Sequence, residues 1–262
     1  MQSTARPNLL KRVLFPTAPG GYRVFMEYAR VIAVALLIAV LFRTFVASPY
    51  KIPSSSMMPT LLVGDYLFVS KYSYGMPIPF SGGERLGETQ PQRGDIVVFK
   101  KPLPMGGEQN YIKRVMAVPG DKVAFRDQVV YLNGEALPSE MQQTYTYHYR
   151  DEDITARVKT EKLDGLRYYT MYQSAAGQNL NPMVVPEGHF VLMGDNRDSS
   201  YDSRFWHYPS WGFVNMDDIV GRAEFIFWSW NGNFVPRFGR IGTSLRAKNQ
   251  VQPIEEVLAY HD

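Results

Sequence analysis

The chain has 262 residues, of which 45% are hydrophobic and 20% charged, and this ordinary composition excludes a largely disordered protein. A formal net charge of only +3 argues against a nucleic-acid-binding protein, which would usually carry a basic stripe. Because the chain has no cysteine, thiol catalysis, zinc–thiolate sites and disulfides are excluded.

A long apolar stretch near the N-terminus predicts a membrane anchor. Residues 28–47 contain the run VIAVALLIAVLF and reach the ~20 residues that a helix needs to cross a bilayer. The alternatives are a buried core helix and a cleaved signal peptide, with VAS at 46–48 as a weak cleavage site. Residues 1–30 carry five basic residues and one glutamate. The positive-inside rule therefore predicts a cytoplasmic segment 1–27, a single transmembrane helix 28–47 and an extracytoplasmic domain 48–262.

The pattern beyond residue 47 is that of a mostly β protein. Short segments rich in β-branched and aromatic residues, separated by Gly, Pro and Asp turns, predict strands at 65–70, 95–100, 111–118, 122–134, 188–195 and 223–230. Asn133-Gly134 predicts a hairpin turn. Residues 73–92, rich in Gly and Pro, predict a long loop or loose hairpin, and the tail from Val235 onward is expected to be weakly structured. The more polar stretch 125–187 is interpreted as an insertion subdomain.

The segment IPSSSMMPTL at 52–61 raises the question of a serine nucleophile. A serine needs a base that takes its proton. The chain has no G-x-S-x-G elbow, and none of its histidines lies in a recognisable triad context; they are His148, His189, His207 and His261. The other available base is a neutral lysine in an apolar strand, where burial disfavours the charged form. Lys113 in YIKRVMAVPGD fits this description, although composition alone also allows a surface lysine on an edge strand.

The chain resembles the bacterial type I signal peptidases in boxes that follow one another in the same order and spacing. These boxes are PSSSMMPTL with GDYLFV behind it, RGDIVVFK, YIKRVMAVPGDKV and GDNRDSSYDSR. Such enzymes are membrane-anchored serine–lysine endopeptidases that remove N-terminal signal peptides from exported precursors after small residues. The resemblance implies a large, mostly antiparallel β-domain of coiled sheets with a smaller β insertion, behind one N-terminal transmembrane helix.

The resemblance also implies roles for individual residues. Ser56 would be the nucleophile and Lys113 the general base, acting through an acyl-enzyme. Ser54 would form the oxyanion hole together with the backbone N–H of Ser56, and Ser200 would hydrogen-bond to the lysine and orient it. The family often has glycine where this chain has Ser55, so the nucleophile is identified by the Met-x-Pro-Thr that follows it.

Two larger sets of residues follow from the same boxes. Shallow pockets for small substrate side chains are expected from Tyr50, Ile52, Pro53, Met57, Leu61, Val98, Tyr111 and Ile112, with core packing as the alternative for each. A structural ion-pair network is expected from Arg114, Asp195, Arg197, Asp202 and Arg204.

The resemblance implies no metal or other cofactor, because serine and lysine complete the proton transfers. The implied partners are precursor proteins with signal peptides and a phospholipid bilayer, without nucleic acid, for a monomeric enzyme. The bacterial plasma (inner) membrane is the expected location, with the catalytic domain on the periplasmic side. An organelle inner membrane is the alternative.

The segment FIFWSW at 225–230, together with Trp206 and Trp211, predicts a surface that lies against the bilayer, because apolar residues occupy both faces of 225–228. A buried core strand is the alternative. Two other functions are alternatives: a soluble self-cleaving repressor-type peptidase, and a membrane-tethered β-domain that binds partners without catalysis. The apolar N-terminal stretch and the lack of a helix-turn-helix pattern argue against the first, and the resemblance argues against both.

Overall fold

The computed structural model describes residues 21–45, 47–78, 85–102, 106–149, 152–174, 179–231, 233–246 and 249–251. The chain divides into two compact units, Met1–Ala47 and Ser48–Asp262. The first contains helix α1 (Gly21–Phe45). The second consists mostly of β-strands.

Helix α1 covers most of the apolar stretch that predicts an anchor. Its large apolar side chains are exposed, as Phe25, Ile32 and Leu36 illustrate. Across the residues that the structure describes, no helix is both long enough and apolar enough to cross a membrane. The predicted transmembrane helix is therefore present as a helix but does not qualify as a span.

The strands of the described residues form a mostly antiparallel fold. In chain order they are β1 (Ala47–Lys51), β2 (Asp65–Ser70), β3 (Met76–Pro77), β4 (Arg85–Leu86), β5 (Ile96–Pro102), β6 (Glu108–Ala117), β7 (Lys122–Arg126), β8 (Val129–Leu132), β9 (Glu135–Ala136), β10 (Ser139–Tyr149), β11 (Glu152–Leu163), β12 (Leu166–Tyr172), β13 (Leu180–Val184), β14 (His189–Met193), β15 (Val214–Asn215) and β16 (Ile219–Ser229). The largest sheet has the order β1-β2-β16-β5-β6-β14-β15. Its interior strand β6 pairs antiparallel with β5 and β14.

The stretch between β6 and β14 builds two smaller sheets, one of order β13-β7-β8-β9 and one of order β10-β11-β12. The single strand predicted at 122–134 is wrong, because a turn at Asp127 and Gln128, both with positive φ, separates β7 from β8. The turn predicted at Asn133-Gly134 is confirmed: both residues have positive φ and they join β8 to β9. Pairing of β3 with β4 confirms the loose hairpin within 73–92, of which 79–84 lie outside the described residues.

The segment that follows β1 packs against two separate hydrophobic clusters. Ile52, Met57 and Leu61 share a cluster with apolar side chains of β2, β5, β6 and β16. Met58 and Leu62 instead pack with apolar side chains of β10, β11 and β12. Neighbouring residues of this segment are therefore held from two sides, by the large sheet and by the three-stranded sheet.

The tail beyond Val235 is better ordered than the sequence predicts. Arg240 is buried and its guanidinium donates to both carboxylate oxygens of Asp65, at 3.1 and 2.6 Å. The backbone N–H of Arg237 donates to the carbonyl of Ser229 at 3.0 Å. The prediction of a weakly structured tail is thus wrong for 236–246, because a buried ion pair ties this stretch to β2 and a backbone hydrogen bond ties it to β16.

Candidate active site

Ser56 lies in a short 3-10 turn, Ser55–Met57, directly after the extended residue Ser54. The turn belongs to the loop that joins β1 to β2. Two backbone hydrogen bonds connect the two ends of this loop, from Ile52 N–H to the Asp65 carbonyl at 2.8 Å and from Gly64 N–H to the Ile52 carbonyl at 3.0 Å. Ser56 is only 7% exposed. The nucleophile candidate therefore lies in a buried turn of a loop whose two ends are joined by backbone hydrogen bonds.

Lys113 lies on β6 and reaches this turn from the large sheet. Its Nζ donates a hydrogen bond to Ser56 Oγ at 2.7 Å. The residue is 3% exposed, and burial lowers the pKa of its ammonium group to about 8, although Asp202 and Asp195 oppose this shift. At mildly alkaline pH, Lys113 is therefore a neutral amine in a substantial fraction of the molecules. The neutral amine is the form that can accept a proton from a hydroxyl.

Ser54 completes the group that surrounds the nucleophile. Its Oγ lies 3.4 Å from Ser56 Oγ, which places the two hydroxyls at the outer limit of a hydrogen bond. Unlike Ser56, Ser54 is exposed. The structure thus brings the predicted Ser54, Ser56 and Lys113 together, with one hydroxyl open to an incoming substrate.

Ser200 is buried near the turn. No hydrogen bond joins its hydroxyl to Lys113 in the described structure. It packs instead against Gly194, where an added Cβ would lie 2.3 Å from Ser200 Oγ and 2.4 Å from the carbonyl oxygen of Ser56. Gly194 is the residue that lets these two segments approach, and sequence reasoning missed it.

Four members of the predicted ion-pair network form two pairs. Arg114 donates to both oxygens of Asp195 at 2.8 and 2.7 Å, and Arg204 donates to both oxygens of Asp202 at 2.9 and 2.8 Å. All four residues are buried. Burial alone would raise the pKa of Asp202, but the charge and hydrogen bonds of Arg204 bring it below its usual value. Pairing with arginine keeps both carboxylates from acting as direct partners of Lys113.

Arg197 differs from the expectation because its carboxylate partner comes from the inserted stretch. Its Nη2 donates to Glu161 Oε2 on β11 at 2.5 Å, and its Nη1 donates to the Tyr172 hydroxyl at 2.8 Å. Glu161 is 3% exposed and also accepts a hydrogen bond from the Tyr168 hydroxyl. No sequence signal distinguishes Glu161 from the other charged residues of β11.

Most of the predicted pocket residues gather in one place. Five of them share a buried cluster and Tyr50 packs against it; the five are Ile52, Met57, Leu61, Val98 and Ile112. Met57 and Leu61 have no exposed surface, so they belong to the core and a bound peptide could not touch them in this conformation. Pro53 is exposed, and Tyr111 belongs to another cluster, stacked on Phe99 with ring centroids 5.9 Å apart.

Two further residues at the site were missed by sequence reasoning. Thr60 Oγ1 donates to Asp195 Oδ2 at 2.5 Å, which ties the end of the turn to the ion pair of Arg114. Asn196 contacts the backbone of the turn itself. Both lie in the quoted boxes, so their position in those boxes was the available signal.

The described histidines do not serve as an alternative base. His189 Nδ1 lies 2.8 Å from the carbonyl oxygen of Glu187, and His207 is exposed. Neither forms a hydrogen bond with Ser56, whereas Lys113 does. The side chain of His148 and all of His261 lie outside the described residues.

Comparison with known proteins identifies the family of the chain. The family model described as signal peptidase, peptidase S26, matches residues 25–228. The chain belongs to this signal peptidase family. Signal peptidase I of Pseudomonas fluorescens is 34% identical over 228 residues, covering 83% of this chain and 78% of the relative. Signal peptidase I of Rickettsia akari is 33% identical, covering 85% and 87%. A solved signal peptidase I from Enterococcus faecalis V583 is 27% identical, with a TM-score of 0.29, and covers 51% of this chain and 97% of its own.

Family membership establishes the class of reaction. The chain is a serine endopeptidase that cleaves signal peptides from precursor proteins. A self-cleaving repressor-type peptidase and a non-catalytic tethered domain do not fit this family.

Proposed function

We propose that this signal peptidase uses Ser56 as its nucleophile and Lys113 as its general base. The observation that carries the proposal is the 2.7 Å contact between Lys113 Nζ and Ser56 Oγ in a buried site. The neutral amine takes the hydroxyl proton while Oγ attacks the scissile carbonyl. The ammonium then returns the proton to the leaving amine, and an acyl-enzyme remains. In the second half of the reaction, Lys113 takes a proton from the water that attacks the acyl-enzyme, and returns it to Ser56 Oγ as the bond between that oxygen and the acyl carbon breaks.

The oxyanion that forms in each half needs donors that are already in place. The backbone N–H of Ser56 and the hydroxyl of Ser54 are the proposed donors. Support comes from the 3.4 Å distance between the hydroxyl oxygens of Ser54 and Ser56, because a hydroxyl this close to the attacking oxygen can also reach the oxyanion that forms beside it.

The substrate is proposed to bind as an extended strand and to present small side chains to a shallow apolar surface. β1 is an edge strand of the large sheet and leads directly into the nucleophile turn, so an added strand could pair beside it. Ile52, Val98 and Ile112 are only 2–9% exposed, which leaves no deep pocket for a large side chain. This supports cleavage after small residues.

The enzyme is proposed to work as a monomer at a bilayer, with the N-terminus cytoplasmic and the catalytic unit on the periplasmic side of the plasma membrane. Exposed apolar side chains of α1 and the basic residues that precede it support this topology. An outer aromatic surface on the catalytic unit also supports contact with lipid. We define it by Tyr66, Phe68, Phe225, Phe227, Trp228, Trp230, Phe234 and Phe238, whose rings contact one another in two groups.

The aromatic surface differs from the one that the sequence predicts. Trp211 is 3% exposed and lies in a core cluster, and Trp206 packs on Phe99, so neither belongs to it. Phe234 and Phe238, at 78% and 70% exposure, take their place.

Three experiments test these proposals. Cleavage of a precursor in detergent should be lost in Ser56→Ala, and retained cleavage would remove the nucleophile assignment. Tryptophan quenching by brominated lipid should fall in Trp228→Phe and Trp230→Phe but not in Trp206→Phe. Equal quenching in all three would contradict the aromatic surface.

Protease added to sealed vesicles should digest 48–262 from the extracytoplasmic face, and digestion from the cytoplasmic face alone would overturn the topology.

A further inference from the structure

Asn196 is a fully buried residue that holds the nucleophile turn at two points. Its backbone N–H donates to the carbonyl oxygen of Ser56 at 3.1 Å. Its side-chain Nδ2 donates to the carbonyl oxygen of Ser55 at 3.2 Å. The backbone N–H of Met58 donates to the same Ser55 carbonyl at 3.1 Å.

The Ser55 carbonyl matters because it belongs to the same peptide group as the Ser56 N–H. A peptide group is planar and trans, so its C=O and its N–H point in opposite directions. Fixing the carbonyl therefore fixes the direction in which the N–H of Ser56 points. A hydrogen bond accepted by the carbonyl also polarises the group and strengthens the N–H as a donor.

The orientation of the Asn196 amide follows from its surroundings. Turned the other way, Oδ1 would face the Ser55 carbonyl and two acceptors would meet, so Nδ2 must be the atom on this side. Nδ2 also lies 3.5 Å from the Tyr147 hydroxyl. Oδ1 has no hydrogen-bond partner among the described residues, although it is buried. An unpaired buried carbonyl is costly, so the amide is best explained by the donor that it supplies.

The three-stranded sheet supports this contact from behind. Gln173 Nε2 donates to the Tyr147 hydroxyl at 3.1 Å and to Ser199 Oγ at 2.7 Å. Tyr147 also shares a hydrophobic cluster with Met58 and Leu62, which flank the turn. Packing and hydrogen bonds from the inserted β10–β12 sheet therefore converge on the peptide that carries the oxyanion donor.

We propose that Asn196 is a positioning residue for the oxyanion hole, which acts by orienting the Ser55–Ser56 peptide. The inference rests on the proposed role of Ser56 as nucleophile. Removing the amide leaves the nucleophile, the base and the substrate surface in place. The rate of the chemical step should therefore fall, whereas substrate binding should change little.

The test compares Asn196→Ala and Asn196→Asp with the parent, as full chains in detergent, on a peptide substrate from pH 6 to 10. We expect kcat to fall about 10- to 100-fold, less than the ~10²–10³ for a missing oxyanion donor, since the Ser56 N–H would point in the wrong direction but would still be present. KM should change less than about threefold, and the acidic limb of the pH profile should stay where it is, because Lys113 is untouched. Tyr147→Phe should show a smaller loss of the same kind. Asn215→Ala, which loses an exposed capping amide, is the control and should keep the parent kcat.

A folded Asn196→Ala with kcat within twofold of the parent overturns the inference. A change in kcat, KM and the position of the acidic limb together also overturns the inference, because that pattern indicates a general distortion of the active site. Where Asn196→Ala fails to fold, the nearly isosteric Asn196→Asp decides by the same criteria. Ser56→Ala distinguishes failure of the proposed nucleophile from failure of the positioning role. Activity in Ser56→Ala rejects Ser56 as the nucleophile. An inactive Ser56→Ala together with a fully active Asn196→Ala rejects only the positioning role of Asn196.

Discussion

Lys113 Nζ lies 2.7 Å from Ser56 Oγ, and neither residue is more than 7% exposed. The short distance allows direct proton transfer between the two groups. The same burial lowers the pKa of the amine. One arrangement therefore supplies both the short distance and the neutral amine that the reaction needs.

The rate should depend on pH through Lys113. Its pKa of about 8 predicts that kcat/KM falls on the acidic side of that value and levels off at mildly alkaline pH, because only the neutral amine can accept the Ser56 proton. Lys113→Arg should be as inactive as Lys113→Ala, since a guanidinium stays protonated. The measurement is a pH–rate profile on a short peptide. An acidic limb with an apparent pKa near the ~10.4 of a free lysine, or substantial activity in Lys113→Arg, would show that Lys113 is not the general base.

The serines of the nucleophile turn should differ in importance. Ser56→Ala should abolish cleavage because the acyl-enzyme cannot form. Ser54→Ala should lose on the order of 10²–10³ in kcat, the usual effect of one missing oxyanion donor. Ser55→Ala should be mild, because its carbonyl rather than its hydroxyl carries the contacts to Asn196 and Met58. Steady-state kinetics on the three variants checks the order, and a Ser55→Ala as damaged as Ser54→Ala would contradict it.

Lys113→Met should make the protein more stable at pH 6 while it abolishes activity. Below pH 8 the parent carries the full cost of a buried ammonium, about 3 kcal/mol from the lowered pKa. Between pH 8 and ~10.4 the folded lysine loses its proton while the unfolded chain still binds one, so the parent gains stability as pH rises. Urea unfolding at pH 6 and pH 10 should therefore show a difference between variant and parent that narrows at the higher pH. A pH-independent difference would argue against the lowered pKa.

Gly194→Ala should damage both activity and stability, because a Cβ there would collide with Ser200 and with the Ser56 carbonyl. The control is Gly134→Ala, where φ is positive but nothing lies within 4 Å of the added atom. It should cost roughly 1–3 kcal/mol of backbone strain and leave kcat unchanged. Equal catalytic loss in both variants would show that the close packing around Gly194 is not specific to the site.

Breaking the Glu161–Arg197 pair should destabilise the fold more than any exposed ion pair does. Glu161→Ala leaves a buried guanidinium without its carboxylate, a change that typically costs about 3–5 kcal/mol. Glu140→Ala removes the exposed partner of Lys162 on the same three-stranded sheet and should leave the unfolding midpoint unchanged. Denaturant unfolding of both variants makes the comparison, and similar midpoints would contradict the importance of the buried pair.

Much of this protein could be predicted from local sequence patterns. Alternating apolar and aromatic residues indicated β2, β5, β6, β14 and β16, because side-chain direction in a strand depends on immediate neighbours. The Asn-Gly pair predicted its own turn for the same reason. The boxes around Ser56 and Lys113 indicated the family and the two groups that the chemistry requires.

Tertiary structure alone decided which of these groups meet. Ser56 and Lys113 are far apart along the chain, and only the pairing of β6 within the large sheet brings the amine to the turn. Arg197 takes Glu161 of a distant strand instead of a nearby aspartate, and Asn196 reaches the Ser55 carbonyl. Periodicity and composition report the neighbourhood of each residue, whereas these contacts depend on how remote segments pack. The sequence by itself therefore determined the chemistry available to this protein, and packing determined the partners that carry it out.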